Sequence, residues 1–236
     1  MSNPETAADE NPATRPAPAP ATGAAAAAAT PAQAQAQAPA ARPKRGNAAT
    51  DLALIATFAA FIAVCAILPA ITIAGPVPFT LQTFAILLTG AVLGARRGFL
   101  AALLYLAIGA IGLPVFAGGS AGLAPFAGPT VGYLISFPLA AAATGFIVSR
   151  IPRRGVALST LFIFLAALVG VVVNHGLGIL GLVWRADMTL GQAALVDVVF
   201  VPGDVVKALL AAVIAAAVHR AFPALLPRRL PRRDQD

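Results

Sequence analysis

The stretch Gly203-Asp-Val-Val-Lys-Ala-Leu-Leu-Ala-Ala-Val-Ile-Ala-Ala-Ala-Val218 is almost entirely apolar, yet it contains two charged residues, Asp204 and Lys207. Residues three apart on a helix leave the same face one turn apart, so the two side chains are expected to lie side by side. Each charge near a bilayer centre costs roughly 2.5–3.5 kcal/mol. The pair therefore either fixes helix packing as an ion pair or binds a ligand, and an intramembrane pair is by default a functional site.

The composition places this helix in a membrane protein. The chain is 59% hydrophobic and 11% charged, whereas soluble domains are about 45–50% apolar and about 25% charged. Residues 1–47 are rich in Ala, Pro and Gln and predict a disordered cytoplasmic tail. Residues 48–222 then form the membrane domain, and residues 223–236 form a basic cytoplasmic tail.

Apolar runs occur at 52–73, 79–94, 98–113, 130–149, 156–182 and 203–221. The second and third runs are shorter than the roughly 20 residues that cross a bilayer, so a re-entrant hairpin is an alternative for them. Arg96 and Arg97 between these two runs favour two short crossings. The sequence predicts an all-α integral membrane protein, a bundle of six transmembrane helices.

The positions of the basic residues predict the orientation. They precede the first run, separate the second from the third and the fourth from the fifth, and follow the sixth, whereas the other loops contain only Arg185. By the positive-inside rule both termini are cytoplasmic, in a multi-pass protein of the cell membrane. This placement explains the net charge of +7 without a nucleic-acid partner.

The connection between the third and fourth runs, residues 112–133, is uncharged and dense in glycine. Non-helical backbone near a membrane survives where it packs on protein or lines a cavity. We interpret this Gly-rich outer loop as a lid over a pocket. The alternative is a compact structural loop whose glycines only permit turns.

Other polar residues interrupt the apolar runs. Asn174 offers two donors and an acceptor, which suits an amide or urea, and Gln82 opens the second run near its outer end. His175 is expected to be an ordinary core residue, and Asp187 and Asp197 in the segment 183–202 are expected to be solvated. No nucleotide P-loop, Ser-His-Asp set or metal-binding pair is recognisable, so no enzyme activity, cofactor or metal is expected.

Three sets of stretches together form a recognisable pattern: Val77-Pro-Phe-Thr-Leu-Gln-Thr-Phe84 with Leu93-Gly-Ala-Arg-Arg-Gly98, Gly112-Leu-Pro-Val-Phe-Ala-Gly-Gly119 with Gly128-Pro-Thr-Val-Gly-Tyr-Leu134, and Val201-Pro-Gly-Asp-Val-Val-Lys-Ala208. On these stretches the chain resembles, over residues 50–221, the BioY family, the biotin-specific S component of energy-coupling-factor (ECF) transporters. The tail before residue 48 is outside the family pattern, and Val131 replaces a glycine that many members have.

The resemblance implies a six-helix bundle that captures biotin from outside. Its expected partners are a transmembrane coupling subunit, two cytoplasmic ATPase subunits that hydrolyse the ATP, and membrane lipid. Small residues on the first helix are expected to dock on the coupling subunit, namely Ala56, Ala60 and Ala63. The residues expected to bind biotin are Asp204, Lys207, Asn174, Tyr133, Thr130, Gln82, Phe116, Gly118 and Gly119.

Biotin chemistry agrees with the charged pair. Asp204 can accept hydrogen bonds from the ureido N–H groups, and Lys207 can attract the carboxylate. Because the two residues are only one turn apart, Lys207 either reaches outward along its stem or pairs with Asp204. Three alternatives stay open: an S component for a different vitamin, an intramembrane enzyme that uses Asp204 as acid or base, and a structural subunit without a ligand.

Overall fold

A computed structural model describes residues 48–68, 71–74, 77–151, 155–223 and 225. The predicted N-terminal tail and most of the basic C-terminal tail lie outside these residues. Apart from one short hairpin, the regular secondary structure of the described residues is helical. In chain order the elements are α1 (Ala48–Ile67), β1 (Ile71–Ala74), β2 (Val77–Phe79), α2 (Gln82–Leu93), α3 (Ala95–Ala110), a 3-10 turn (Ala117–Gly119), α4 (Ala124–Ala127), α5 (Val131–Val148), α6 (Val156–Arg185), α7 (Leu190–Val198) and α8 (Val201–Ala221).

Four of these helices, α1, α5, α6 and α8, are long and apolar enough to cross a membrane. The helices α2 and α3 are shorter, with 12 and 16 residues. They follow each other directly because Gly94, with φ of 80°, turns the chain in a conformation that other residues rarely adopt. From the second predicted run to the sixth, the observed helix ends lie within three residues of the prediction.

The first predicted run extends too far. Its helix ends at Ile67, and residues 71–74 form a strand that pairs antiparallel with Val77–Phe79. The sequence explains the change: a proline at position 69 lacks the backbone N–H that a continuing helix requires, and the β-branched residues at 71–73 favour an extended chain. The hairpin leads directly into α2 and brings β2 to the ligand cavity described below.

The predicted loop 183–202 is also largely helical. Helix α6 continues to Arg185, and α7 occupies residues 190–198. A capping box begins α7: the Thr189 hydroxyl accepts from the Gln192 backbone, and the Gln192 side chain accepts from the Thr189 backbone. As a result one face of α7 packs inward, with Ala193 and Asp197 both buried.

Glycines allow α5 and α6 to approach closely. A Cβ atom on Gly181 of α6 would lie 2.6 Å from the Cα of Gly132 on α5, and a Cβ on Gly132 would overlap the backbone of α6. Small residues at helix contacts are typical of membrane bundles, where close packing replaces the hydrophobic effect. This contact sets the relative positions of Tyr133 on α5 and Asn174 on α6.

The close approach predicts a difference between two glycines of the same helix. Gly181→Ala is expected to destabilise the purified protein by about 1–3 kcal/mol, because overpacking forces the backbones apart. Gly176→Ala is the matched control, since no atom lies within 4 Å of a Cβ there, and its stability should not fall. Thermal unfolding in detergent measures both, and equal melting temperatures would contradict this account of the helix contact.

Candidate ligand-binding site

A cavity of about 400 Å³ lies between β2, α2, the segment 112–130, α5, α6 and α8. Pockets for small organic ligands typically occupy about 300–1,000 Å³. Most of its lining is apolar, and its polar groups come from several different elements. They are Thr80, Gln82, Thr83, Ser120, Thr130, Tyr133, Asn174, His175, Asp204 and Lys207.

The cavity brings together most of the predicted ligand residues. Two predicted residues, Gly118 and Gly119, are not in its lining, although their neighbours Ala117 and Ser120 are. Both glycines have positive φ angles, 66° and 73°, which let the chain turn beside the cavity. The predicted residues that line it are Gln82, Phe116, Thr130, Tyr133, Asn174, Asp204 and Lys207.

Asp204 and Lys207 form a buried ion pair. The distance from Lys207 Nζ to Asp204 Oδ1 is 2.8 Å, and the residues are 3% and 6% exposed. Lys207 Nζ also donates to the backbone oxygen of Thr80 at 2.6 Å and lies 3.7 Å from the ring centroid of Phe79. Of the two arrangements considered for Lys207, pairing with Asp204 is therefore the one formed in this structure.

His175 was not expected at the site, but it lines the cavity and contacts two carboxylates. Its Nε2 is 3.0 Å from Asp204 Oδ2, and its Nδ1 lies 2.8 and 2.7 Å from the two carboxylate oxygens of Asp197. The hydroxyl of Tyr133 donates to Asp197 Oδ1 at 2.6 Å. One hydrogen-bonded chain thus links α5, α7, α6 and α8.

The expectation that Asp197 is solvated is wrong, because it is 3% exposed. The inward face of α7 explains its burial. The signal was present in the sequence: the capping box at Thr189 and Gln192 indicates a helix, and Ala193 and Asp197 are four residues apart on one face of it. By contrast Asp187 is exposed, as expected.

A second set of hydrogen bonds holds the amides of the cavity. Gln82 Nε2 donates to the Tyr105 hydroxyl at 2.6 Å, and the Thr80 hydroxyl donates to Gln82 Oε1 at 3.0 Å. The Asn174 side chain is held by the Ser136 hydroxyl at 2.6 Å. Its other amide atom has no hydrogen bond within the described residues, so it is free to bind a ligand in the cavity.

Aromatic rings supply the apolar walls. Phe79 and Phe200 are stacked, with centroids 6.2 Å apart, and Phe116 makes edge-to-face contacts with Tyr105 and Phe126. The cavity is therefore suited to a molecule with an apolar body. On the α8 side such a molecule would contact the Asp204 carboxylate, which accepts hydrogen bonds. On the α6 side it would contact the Asn174 amide.

The predicted docking surface on α1 is accessible. Ala56 and Ala60 are exposed and Ala63 is partly exposed, whereas Ala59 is buried inside the bundle. The small residues of α1 therefore divide between an inner face and an outer one.

Comparison with known proteins identifies the family. A sequence model of the BioY family matches residues 33–224. The chain belongs to the BioY family. The match begins before residue 48, so the expectation that the whole tail lies outside the family pattern is wrong for residues 33–47.

Named relatives cover most of the membrane domain. The protein called biotin transporter BioY in Rhizobium etli is 43% identical over 166 residues, which is 69% of this chain and 89% of the relative. That of Rhodobacter capsulatus is 44% identical over 170 residues, or 68% of this chain and 88% of the relative. A crystal structure of the S-component for biotin from an ECF-type ABC transporter is similar with a TM-score of 0.68 and 30% identity, over 76% of this chain and 95% of the other.

The buried ion pair makes a stability prediction. Removing one partner of such a pair typically costs about 3–5 kcal/mol, because the other charge stays buried without compensation. Lys207→Met should therefore lower the melting temperature of the ligand-free protein strongly. In the double variant Asp204→Asn with Lys207→Met, the loss should be smaller than the sum of the single losses. Strictly additive losses in detergent unfolding experiments would show that the two charges do not interact.

Proposed function

We propose that this chain is the substrate-binding membrane subunit of an ECF-type biotin uptake transporter. The names of its relatives and the similar S-component support the class of protein and the ligand. The single observation that carries the proposal is the buried Asp204 carboxylate in the wall of an apolar cavity. A membrane cavity that keeps a carboxylate ready to accept hydrogen bonds is suited to an apolar molecule with N–H donors.

Biotin has this chemistry. Its ureido ring offers two N–H donors and a carbonyl, and its bicyclic body is apolar. In the proposed complex the ureido N–H groups donate to Asp204, and Asn174 and Gln82 hold the polar atoms of the ring. Lys207 orients Asp204 through their 2.8 Å contact. The bicycle packs among Phe79, Phe116 and the other aromatic walls.

The biotin carboxylate would then point away from Asp204, since two negative charges repel each other. The segment 112–130, which lines the cavity, offers the Thr130 hydroxyl for it. The Ser120 hydroxyl donates to the Ala117 carbonyl in this structure and would turn from it to bind the carboxylate. We assign this Gly-rich outer segment, including Gly118 and Gly119, as the lid of the site. The exchange of ligand would occur on this side.

The proposed topology has six membrane spans, with α2 and α3 as two short crossings between the four longer ones. Both termini are cytoplasmic, because the basic residues then face the cytoplasm. Residues 48–222 form the membrane domain, with cytoplasmic tails at 1–47 and 223–236. In this orientation Arg185, at the end of α6, lies outside.

ATP hydrolysis is assigned to partner subunits, because the chain has no nucleotide-binding P-loop. The proposed complex contains a transmembrane coupling subunit and two cytoplasmic ATPases. Ala56, Ala60 and Ala63 form the docking surface for the coupling subunit, since small residues that are exposed, or in the case of Ala63 partly exposed, let a second helix approach closely. The remaining apolar surface contacts lipid.

Calorimetric titration with biotin tests the ligand assignment. The purified protein should bind biotin, and Asp204→Asn should weaken binding by roughly tenfold or more, since hydrogen bonds to a charged group are worth about 1.5–3 kcal/mol. Asp187→Asn is the control, because that acid is exposed outside the cavity. Binding that survives Asp204→Asn unchanged would make the charged pair a packing element only.

Competition separates biotin from other vitamins. An excess of thiamine or riboflavin should not displace labelled biotin from the purified protein, because neither offers the same ureido donors beside an apolar bicycle. Displacement by either, or the absence of biotin binding, would favour an S component for a different vitamin.

The docking surface makes a separate prediction. Ala60→Trp should reduce co-purification with the coupling subunit while leaving biotin affinity unchanged, because the bulky ring blocks close helix approach on the outer face of α1. Val213→Trp on α8 is the control, since Val213 is 50% exposed on another helix. Equal co-purification of both variants and the unmodified protein would remove this face of α1 from the interface.

A further inference from the structure

The carboxylate oxygens of Asp197 and Asp204 that face His175 require more hydrogen-bond donors than a neutral imidazole supplies. Asp197 Oδ1 already accepts from the Tyr133 hydroxyl, and both Asp197 oxygens lie within 2.8 Å of His175 Nδ1. An ionised carboxylate only accepts, so Nδ1 donates its proton to Asp197. In a neutral imidazole the other nitrogen, Nε2, is then an acceptor.

A neutral imidazole does not fit the observed contact with Asp204. His175 Nε2 and Asp204 Oδ2 are 3.0 Å apart, and both residues are buried. If neither atom had a proton, two lone pairs would face each other without water between them. One proton must therefore lie between the two atoms for the contact to be attractive.

We propose that His175 is a positioning residue for Asp204, and that Asp204 binds ligand only while one proton lies between His175 Nε2 and Asp204 Oδ2. In this arrangement Asp197 keeps the imidazole in the required orientation. This inference rests on the proposed function of the cavity. It adds two residues, His175 and Asp197, to those that determine ligand affinity. It also assigns α7 a role, since that helix supplies Asp197.

The charge balance of the cluster agrees with the proposal. The charged or titratable groups that face His175 are Asp197 from α7, Asp204 with its partner Lys207 from α8, and Tyr133 from α5. With a neutral His175 the two carboxylates and one ammonium leave a net negative charge. An imidazolium brings the cluster to neutrality, as burial in an apolar bundle favours.

The proton also explains how Asp204 stays oriented. Its Oδ1 contacts Lys207 at 2.8 Å and its Oδ2 contacts His175 at 3.0 Å, so the plane of the carboxylate is fixed from both sides. A carboxylate has about four lone-pair positions, and the remaining ones are available to two ligand N–H groups. If the donor at Nε2 is lost, the carboxylate is repelled on one side and turns away.

The test is biotin affinity as a function of pH for the wild type and His175→Gln, measured by calorimetry. The range runs from about pH 6 to about pH 10, above the ordinary titration range of histidine, because two carboxylates face this imidazole. The wild type should bind more weakly as the pH rises, because the proton between Nε2 and Oδ2 is removed. A glutamine amide reaches the same position as Nε2 and donates without titrating in this range. His175→Gln should therefore bind biotin with a flat pH profile.

A merely structural histidine predicts a different result. Replacing it would change affinity or melting temperature, but the pH profile would keep its wild-type shape, because Lys207, Tyr133 and both aspartates remain. Equal profiles for the two proteins would overturn the inference and leave the proposed function intact. A wild type that does not bind biotin at any pH would instead overturn the proposed function, and this inference with it.

Asp197→Asn provides an independent variant that keeps the imidazole. It should weaken biotin binding at neutral pH by roughly tenfold, as expected for a lost charged hydrogen bond. Combined with His175→Gln it should add little to the single change, because Asp197 acts through His175. Wild-type affinity in Asp197→Asn, or full additivity in the double variant, would contradict the positioning role.

Discussion

Buried charge among apolar helices is the constraint on which this structure depends. Asp197, Asp204 and Lys207 are all almost fully buried, and an uncompensated charge in such surroundings costs several kcal/mol. Each of them therefore has a partner: Tyr133 and His175 for Asp197, His175 and Lys207 for Asp204, and the Thr80 carbonyl as well as Asp204 for Lys207. The contacts tie α5, α6, α7 and α8 together around one side of the cavity.

The same contacts give the cavity its chemical character. A carboxylate held from two sides presents its remaining lone pairs in a fixed direction, so binding a ligand requires little reorganisation of the protein. The aromatic residues Phe79, Phe116 and Phe200 keep the surroundings apolar, and in an apolar environment a hydrogen bond to a charge is stronger. Close helix packing at Gly132 and Gly181 holds α5 and α6 in the required positions.

The parts of this site that depend on residues close together in the sequence could be predicted, whereas the parts that depend on contacts between distant residues could not. Asp204 and Lys207 were identifiable because their spacing on one helix is a local property, and the long apolar helices follow from their composition. His175 was judged alone, as a core residue, because its partners come from α7 and α8, which are distant contacts that periodicity does not reveal. The strands at residues 71–74 and 77–79 and the helix α7 were missed because their segments were judged only by hydropathy. The β-branched residues at 71–73 indicated the first strand, and the capping box at Thr189 indicated α7.

The most direct test of the central claim is an experimental structure of the protein with biotin bound. The account predicts that the ureido nitrogens lie within hydrogen-bonding distance of the Asp204 carboxylate, with Lys207 still paired to it. The biotin carboxylate should lie toward residues 112–130. A reversed ligand, with its carboxylate on Lys207 and its ureido ring at residues 112–130, would contradict the account.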